Sequence, residues 1–267
     1  MCELLGLCAN APADIRFSFS GLRQRGGKTG VHKDGWGICL YEGRGSRSFH
    51  DPKSSVTSAM ARFIQNTPIK SKIIISHIRQ ANCGRVCLAN THPFTRELWG
   101  CDWVFAHNGQ LKGIKRKPLQ FYHPIGTTDS EHAFCYIMDK IRDEFPKRPN
   151  KKKELWLYIE TIAREINQFG IFSFLLSDSR YMYAYCSNKM SWVTRQYPFG
   201  EARLVDTGEV IDFSTKLSRN DVVTVIASSA LTDNEDWHCM EKGEFRVFNN
   251  GLSRRLAAWS TRNTFYS

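Results

Sequence analysis

Runs and alternations of apolar residues divide the chain into short extended segments and a few longer amphipathic ones. Strand-length apolar runs occur at Cys2–Cys8, Gly35–Tyr41, Lys72–Ile78, Trp103–His107, Phe172–Ser177, Met182–Cys186 and Val222–Ala227. Several are followed by Gly, Asn or Asp, which favour turns. The spacing of Val56, Ala59, Met60, Phe63 and Ile64 predicts a helix stopped by Pro68. A second helix is predicted from Thr128-Asp129-Ser130-Glu131, which has the form of a capping box, through Phe134, Ile137, Met138, Ile141 and Phe145, with Pro146 and Pro149 ending it. A third carries Leu155, Ile159, Ile162, Ala163 and Ile166 on one face and stops before Gly170. Strands, two adjacent helices and further strands imply sheets packed against helices in one layered domain over residues 1–267, with Lys147–Lys153 as an exposed connection.

Composition narrows the class. The 267 residues are 42% apolar and 24% charged, an ordinary globular balance that excludes disorder and collagen. No apolar run approaches the roughly 20 residues that cross a bilayer, so no membrane partner is expected. Lys and Arg exceed Asp and Glu by 37 to 26, a net charge of +11, but much of the excess is local, at Lys112–Lys117 and Lys147–Lys153. Neither segment interleaves cations with stacking aromatics, so they read as solvated faces and no nucleic-acid partner is expected. The nine cysteines are scattered without a C-x-x-C pair. Cys83 and Cys87 lack further ligands at zinc spacing, so no metal site is expected, and reduced thiols in the cytoplasm are the reading that follows. Leu4–Ala9 and Ala9-Asn10-Ala11 imitate a signal sequence, but Glu3 stands where a positive segment belongs, and the start of the chain is expected to be part of the fold.

Cys2 would become the N-terminus if Met1 were clipped. An α-amino group has a pKa of about 7.7 to 8.0, so near neutral pH part of it can accept a proton. A terminal cysteine thus pairs a strong nucleophile with its own base. The plainer reading packs Cys2 as a small apolar residue of the first strand. Three further segments bear on the choice. His77-Ile78-Arg79-Gln80 ends an apolar strand, and an arginine there can hold a carboxylate through two hydrogen bonds. Asn90-Thr91-His92-Pro93-Phe94 is the second. The third is Phe105-Ala106-His107-Asn108-Gly109-Gln110-Leu111, read as a strand running into a turn, where a side-chain amide and a glycine N–H can converge on one oxygen. His77 and His107 fit satisfied structural histidines near strand ends.

Together Cys2, the Arg79 segment, His92-Pro93, Asn108-Gly109 and Gly126-Thr127-Thr128-Asp129-Ser130-Glu131 resemble the amide-hydrolysing domain of the class II glutamine amidotransferases, a branch of the N-terminal nucleophile hydrolases. The likeness is greatest to stand-alone bacterial members and runs from Cys2 to about Asn249, including Leu231-Thr232-Asp233-Asn234-Glu235 and Trp237. Asp34-Gly35-Trp36-Gly37 is similar to a glycine-rich segment near the pocket in that family. The resemblance implies an α+β fold, a four-layer α/β/β/α sandwich, with no cofactor. It also implies that Cys2 attacks the side-chain amide carbon of glutamine, that Asn108 and Gly109 hold the oxyanion, and that Arg79 and Asp129 grip the substrate α-carboxylate and α-ammonium. His92 is assigned to the substrate pocket in an orienting or packing role. Water would release glutamate from a γ-glutamyl thioester, and the ammonia would be lost, passed to an acceptor protein, or replaced by another amine if the substrate is a different γ-glutamyl compound. Many synthase-linked members carry Trp-Ala-Thr-His after the arginine, where this chain has Gln80-Ala81-Asn82-Cys83, so contacts from that loop are not carried over. Cys83 itself reads as buried and inert. Two other readings remain at this point: a Cys–His hydrolase with His92 or His107 as base, and a non-catalytic or ammonia-supplying subunit that binds a protein partner.

Overall fold

The computed structural model describes residues 2–81 and 84–255. The expectations for Met1, Asn82 and Cys83 fall outside the described residues. Two antiparallel sheets carry the fold. In chain order the first contains β1 (Glu3–Asp14), β2 (Trp36–Glu42), β3 (Gly45–Asp51) and β4 (Lys70–Ile78). The second begins with β5 (Phe94–Leu98), β6 (Cys101–Leu111), β7 (Gly170–Ser177) and β8 (Met182–Cys186). β9 (Ser191–Arg195), β12 (Val223–Ala227) and β13 (His238–Cys239) return to the first sheet, whose order is β13-β9-β12-β1-β4-β2-β3. β10 (Glu201–Arg203) and β11 (Val210–Asp212) pair separately, and β14 (Glu244–Asn249) and β15 (Leu252–Arg255) complete the second sheet, ordered β15-β14-β8-β7-β6-β5.

Three apolar clusters define the layers. Leu5, Leu7 and Ala9 of β1 pack outward with Phe19 and Leu22 of α1 (Arg16–Gln24) and Ala61 and Ile64 of α2 (Ala59–Asn66). Leu4 and Cys8 of the same strand face inward against Val104, Ala106, Leu175 and Met182 of the second sheet. The far face of that sheet, through Phe105, Phe172 and Phe174, packs on α3 (Asp129–Glu144) and α4 (Lys152–Asn167). The result is the expected α/β/β/α sandwich. β1 reads as an almost unbroken apolar run because both of its faces are covered. The sheets also approach closely there: a Cβ at Gly6 would lie 2.7 Å from Met182 Sδ, so only glycine leaves room for that methionine.

Several elements depart from the sequence reading. The first helix begins at Ala59 rather than Val56, with Ser58 Oγ accepting the Ala61 N–H at 3.3 Å. The capping box of α3 is half formed. Thr128 Oγ1 accepts the Glu131 N–H at 3.1 Å, but the Glu131 carboxylate turns to the N–H groups of Ile125 and Gly126 and to Arg96. The sequence pattern does not predict α1, β3, β5, β9–β11 or β13–β15. Asn108-Gly109 is not a turn: β6 continues to Leu111, and Asn108 and Gly109 sit opposite Ser173 and Phe172 of β7.

Candidate active site

The antiparallel register of β1 and β4 places Glu3 opposite Ile78, so Cys2 and Arg79, one residue beyond each strand end, lie side by side. The Gln80 N–H donates to Cys2 Sγ at 3.3 Å. On its other side β1 pairs with β12, and Ser228, just past that strand, fixes Leu4: its Oγ accepts the Leu4 N–H at 3.0 Å. Arg25, buried at the end of α1, donates to Glu3 Oε2 at 3.0 Å and to the carbonyls of Ser229 and Ala230. The residue after Cys2 and the turn after β12 are thereby tied to one guanidinium.

From the second sheet Asn108 reaches across. Its Nδ2 donates to the Cys2 carbonyl at 2.6 Å and to Ser228 Oγ at 3.3 Å. The amide orientation is fixed by that carbonyl, which needs a donor, and Asn108 Oδ1 is buried with no partner among the described residues. Gly109 has φ +155°, and a Cβ there would fall 1.9 Å from the Ile171 carbonyl oxygen, so no larger residue fits without displacing β7. α3 brings the acid: Asp129 Oδ2 accepts the Leu111 N–H at 2.7 Å and Oδ1 the Ser130 N–H at 2.9 Å, and the carboxylate sits in the first helical turn, where the helix dipole favours it.

One cavity is lined by Cys2, Arg79, His92, Gly109 and Asp129. Arg79 is 3% exposed, and its Nη1 reaches the carbonyls of Asp34 and Arg85 at 3.4 and 3.3 Å. Asp34 Oδ2 accepts the Ala81 N–H at 2.8 Å, so the Asp34-Gly35 segment borders the same loop. Of the residues singled out from the sequence, Cys2, Arg79, His92, Gly109 and Asp129 line this cavity, and Asn108 touches Cys2 from behind it. Ser228 and Arg25 were missed. Ser228 is a single hydroxyl beyond a strand, and Arg25 lies in an unrecognised helix, so only pairing partners distant in sequence reveal them.

Burial pushes the Cys2 thiol up; the Gln80 N–H and the Arg79 charge pull the other way. A nearby base is therefore needed to form a thiolate at neutral pH. The three histidines are poor candidates. His107 is committed at both nitrogens, to the Ile171 carbonyl at 3.0 Å and Ser130 Oγ at 2.9 Å, which makes Nε2 the protonated nitrogen. The His92 and His77 rings lie 4.3 Å apart, tilted by 43°, and their ring nitrogens meet no partner at full hydrogen-bond geometry among the described residues. Burial drives His77 down to about 3 and His92 well below its ordinary value, so both stay neutral.

Comparison with known proteins shows which family this chain resembles over its length. The family of class-II glutamine amidotransferases matches residues 1–266. The Escherichia coli K12 protein YafJ, assigned by name to the glutamine amidotransferases, is 54% identical over 248 residues, 93% of this chain and 97% of that protein. A Haemophilus influenzae relative, also named as a glutamine amidotransferase, is 45% identical over 251 residues, 94% of this chain and 85% of its own. The crystal structure of a predicted glutamine amidotransferase from Pseudomonas aeruginosa PA01 superposes with a TM-score of 0.77 at 48% identity, covering 94% of this chain and 99% of that one. Glutamine phosphoribosylpyrophosphate amidotransferase from B. subtilis shares the fold at 16% identity, with a TM-score of 0.59 over 96% of this chain and 50% of that one.

Proposed function

Because this chain belongs to the class II glutamine amidotransferases, we propose that removal of Met1 frees a Cys2 amine and thiol that together hydrolyse the side-chain amide of glutamine or of a related γ-glutamyl compound. The amine takes the thiol proton through a water, and sulfur bonds to the amide carbon. The carbonyl oxygen becomes an oxyanion held by the Gly109 N–H and by Asn108 Nδ2, which gives up its longer bond to Ser228 Oγ to reach it. Collapse breaks the carbon–nitrogen bond; the proton on the amine goes to the leaving nitrogen, and ammonia or a substituted amine departs. Water then attacks the γ-glutamyl thioester, and the carbon–sulfur bond breaks. The thiol is restored and glutamate leaves. Arg79 and Asp129 supply the opposite charges that read the α-carboxylate and α-ammonium. His92 forms an apolar, neutral wall of the pocket.

The observation that carries this reading is the gathering of Cys2, Arg79, Gly109 and Asp129 around one cavity, with Asn108 hydrogen-bonded to the main chain of Cys2. The orphaned Asn108 Oδ1 adds to it, since it is a buried acceptor beside the residue whose amine would be released. The commitments of His107 speak against a Cys–His pair as the source of the base. A working thiol needs a reducing compartment, which supports a cytoplasmic location; no helix among the described residues is long and apolar enough to cross a membrane. The test is glutamate release from glutamine and a panel of γ-glutamyl amides. Cys2→Ala is expected to abolish it, and turnover by that variant would refute the proposal.

A further inference from the structure

The mouth of the Cys2 cavity has a surface that the hydrolysis itself does not use. Three loops form it, held together by buried polar groups. Arg79 Nη1 reaches the carbonyls of Asp34 and Arg85, joining the segment before β2 to the one after β4. Asn90, 1% exposed, donates to the Arg85 carbonyl at 2.9 Å and to Thr127 Oγ1, and accepts the Thr127 N–H at 2.7 Å, joining that loop to the entry of α3. Lys115 Nζ donates to the Thr127 carbonyl at 2.6 Å and closes the same corner.

Each of these loops presents large apolar side chains to solvent. Val31 is 67% exposed, Val86 51%, Leu88 58% and Ile125 81%. They are carried on a bonded framework, so their exposure is built in. The loops are also predominantly cationic. Residues 84–92 and 111–128 contain no Asp or Glu; in the loop before β2 the one acid, Asp34, is engaged by the Ala81 N–H, and Asp206, which packs on that loop, is paired with Arg25, whereas Lys28, Lys33, Arg85, Lys112, Lys115 and Arg116 are exposed. Glutamine is zwitterionic and neutral overall, so a cationic rim does nothing for its capture. Side chains as exposed as Val31 and Ile125 cannot enclose a small molecule. Apolar tips among like charges are the pattern of a protein interface.

We propose that this mouth is the seat of an acidic protein partner whose contact surface carries apolar residues amid carboxylates and which covers the Cys2 cavity. The inference rests on that cavity being the working site proposed above. A partner seated there stands beside the cavity lined by Cys2, Arg79 and Asp129, from which the departing ammonia or amine emerges.

The experiment uses the full chain as Cys2→Ala, so that binding is read without turnover. A labelled random copolymer of glutamate and tyrosine serves as the probe, beside poly-glutamate, single-stranded RNA and phosphatidylglycerol vesicles, with binding followed by fluorescence anisotropy or, for vesicles, by sedimentation. The copolymer is expected to bind about fivefold or more tighter than poly-glutamate, and combined Lys28→Glu, Lys33→Glu and Arg85→Glu to weaken it about tenfold. The same three charge reversals at Lys147, Lys151 and Lys153 are expected to change it by no more than about twofold, because they remove equal net charge elsewhere. Val31→Ser, Leu88→Ser and Ile125→Ser together should erase the preference for the copolymer over poly-glutamate while leaving the melting temperature in place. Equal losses from rim and control reversals, an unchanged preference in the serine variant, or tighter binding of RNA or vesicles than of copolymer would overturn the proposal. Rim-dependent binding alongside a failure of the Cys2 protein to hydrolyse any γ-glutamyl amide would leave the docking surface standing and defeat the hydrolase reading instead.

Discussion

Replacing Asn108 separates its proposed task from its observed one. If Asn108 holds the oxyanion as proposed, Asn108→Ala removes a side-chain donor, which typically costs about 2.7 to 4 kcal/mol of transition-state stabilisation, or roughly 100- to 1,000-fold in kcat. The substitution also strips the Cys2 carbonyl of the 2.6 Å donor that faces it. Loss of a buried hydrogen bond of this kind lowers stability by about 1 to 3 kcal/mol, a Tm decrease of a few degrees in a chain of this size. KM should move little, because Arg79 and Asp129 are untouched. Asn108→Asp sharpens the test: it keeps the shape but sets an anionic acceptor against the Cys2 carbonyl and the oxyanion, so it should be at least as inactive as alanine. The assay is initial-rate glutamate release over a range of glutamine concentrations, with thermal melts alongside. A kcat within about threefold of wild type in either variant would refute the oxyanion assignment, as would a loss confined to KM.

Gly109→Ala should fail differently. Its Cβ would meet the Ile171 carbonyl oxygen at 1.9 Å, so β6 and β7 must part, and both Tm and kcat should drop; a normal melt with full activity would contradict the geometry. Arg79→Lys keeps the charge but loses the planar fork, and a KM increase of about 10- to 100-fold is expected from the charged hydrogen bonds given up; an unchanged KM would remove Arg79 from substrate recognition. A residue inserted between Met1 and Cys2 should abolish turnover by burying the amine in a peptide bond, which a Cys–His mechanism would survive. Stability should fall as the pH drops below about 6.5, because the unfolded chain protonates His77 there while the folded chain resists down to about 3. Each such proton contributes about 1.4 kcal/mol per pH unit, so urea unfolding between pH 7 and pH 5 should show a shallower pH dependence in His77→Phe than in wild type, and an identical slope would contradict the burial argument.

What could be read from the sequence, and what could not, follows from how local each signal is. β1, β4, β7 and β12 are buried on both faces, and their continuous apolar runs announce them. α3 and α4 carry apolar stripes with clear stops. α1 gives no helical signal because Phe17-Ser18-Phe19-Ser20 alternates as a strand would, yet all four are buried in a helix. Asn108-Gly109 read as a hairpin turn because that dipeptide favours one; here Gly109 instead gives β6 the φ of +155° at which it passes β7. Cys2, Arg79 and Asn108 stand out by their residue chemistry, which periodicity does not show, and the role of Asp129 comes from the resemblance alone. Ser228 and Arg25 act through strand register and long-range hydrogen bonds, which no window of sequence contains.

The central claim concerns one sulfur. Intact-mass and peptide mass spectrometry of protein acid-quenched during turnover of glutamine should find a chain that begins at Cys2 and a fraction bearing one added glutamyl group on that first residue, labile to hydroxylamine as a thioester is. A glutamyl group on any other residue, or steady hydrolysis by protein that retains Met1, would contradict it.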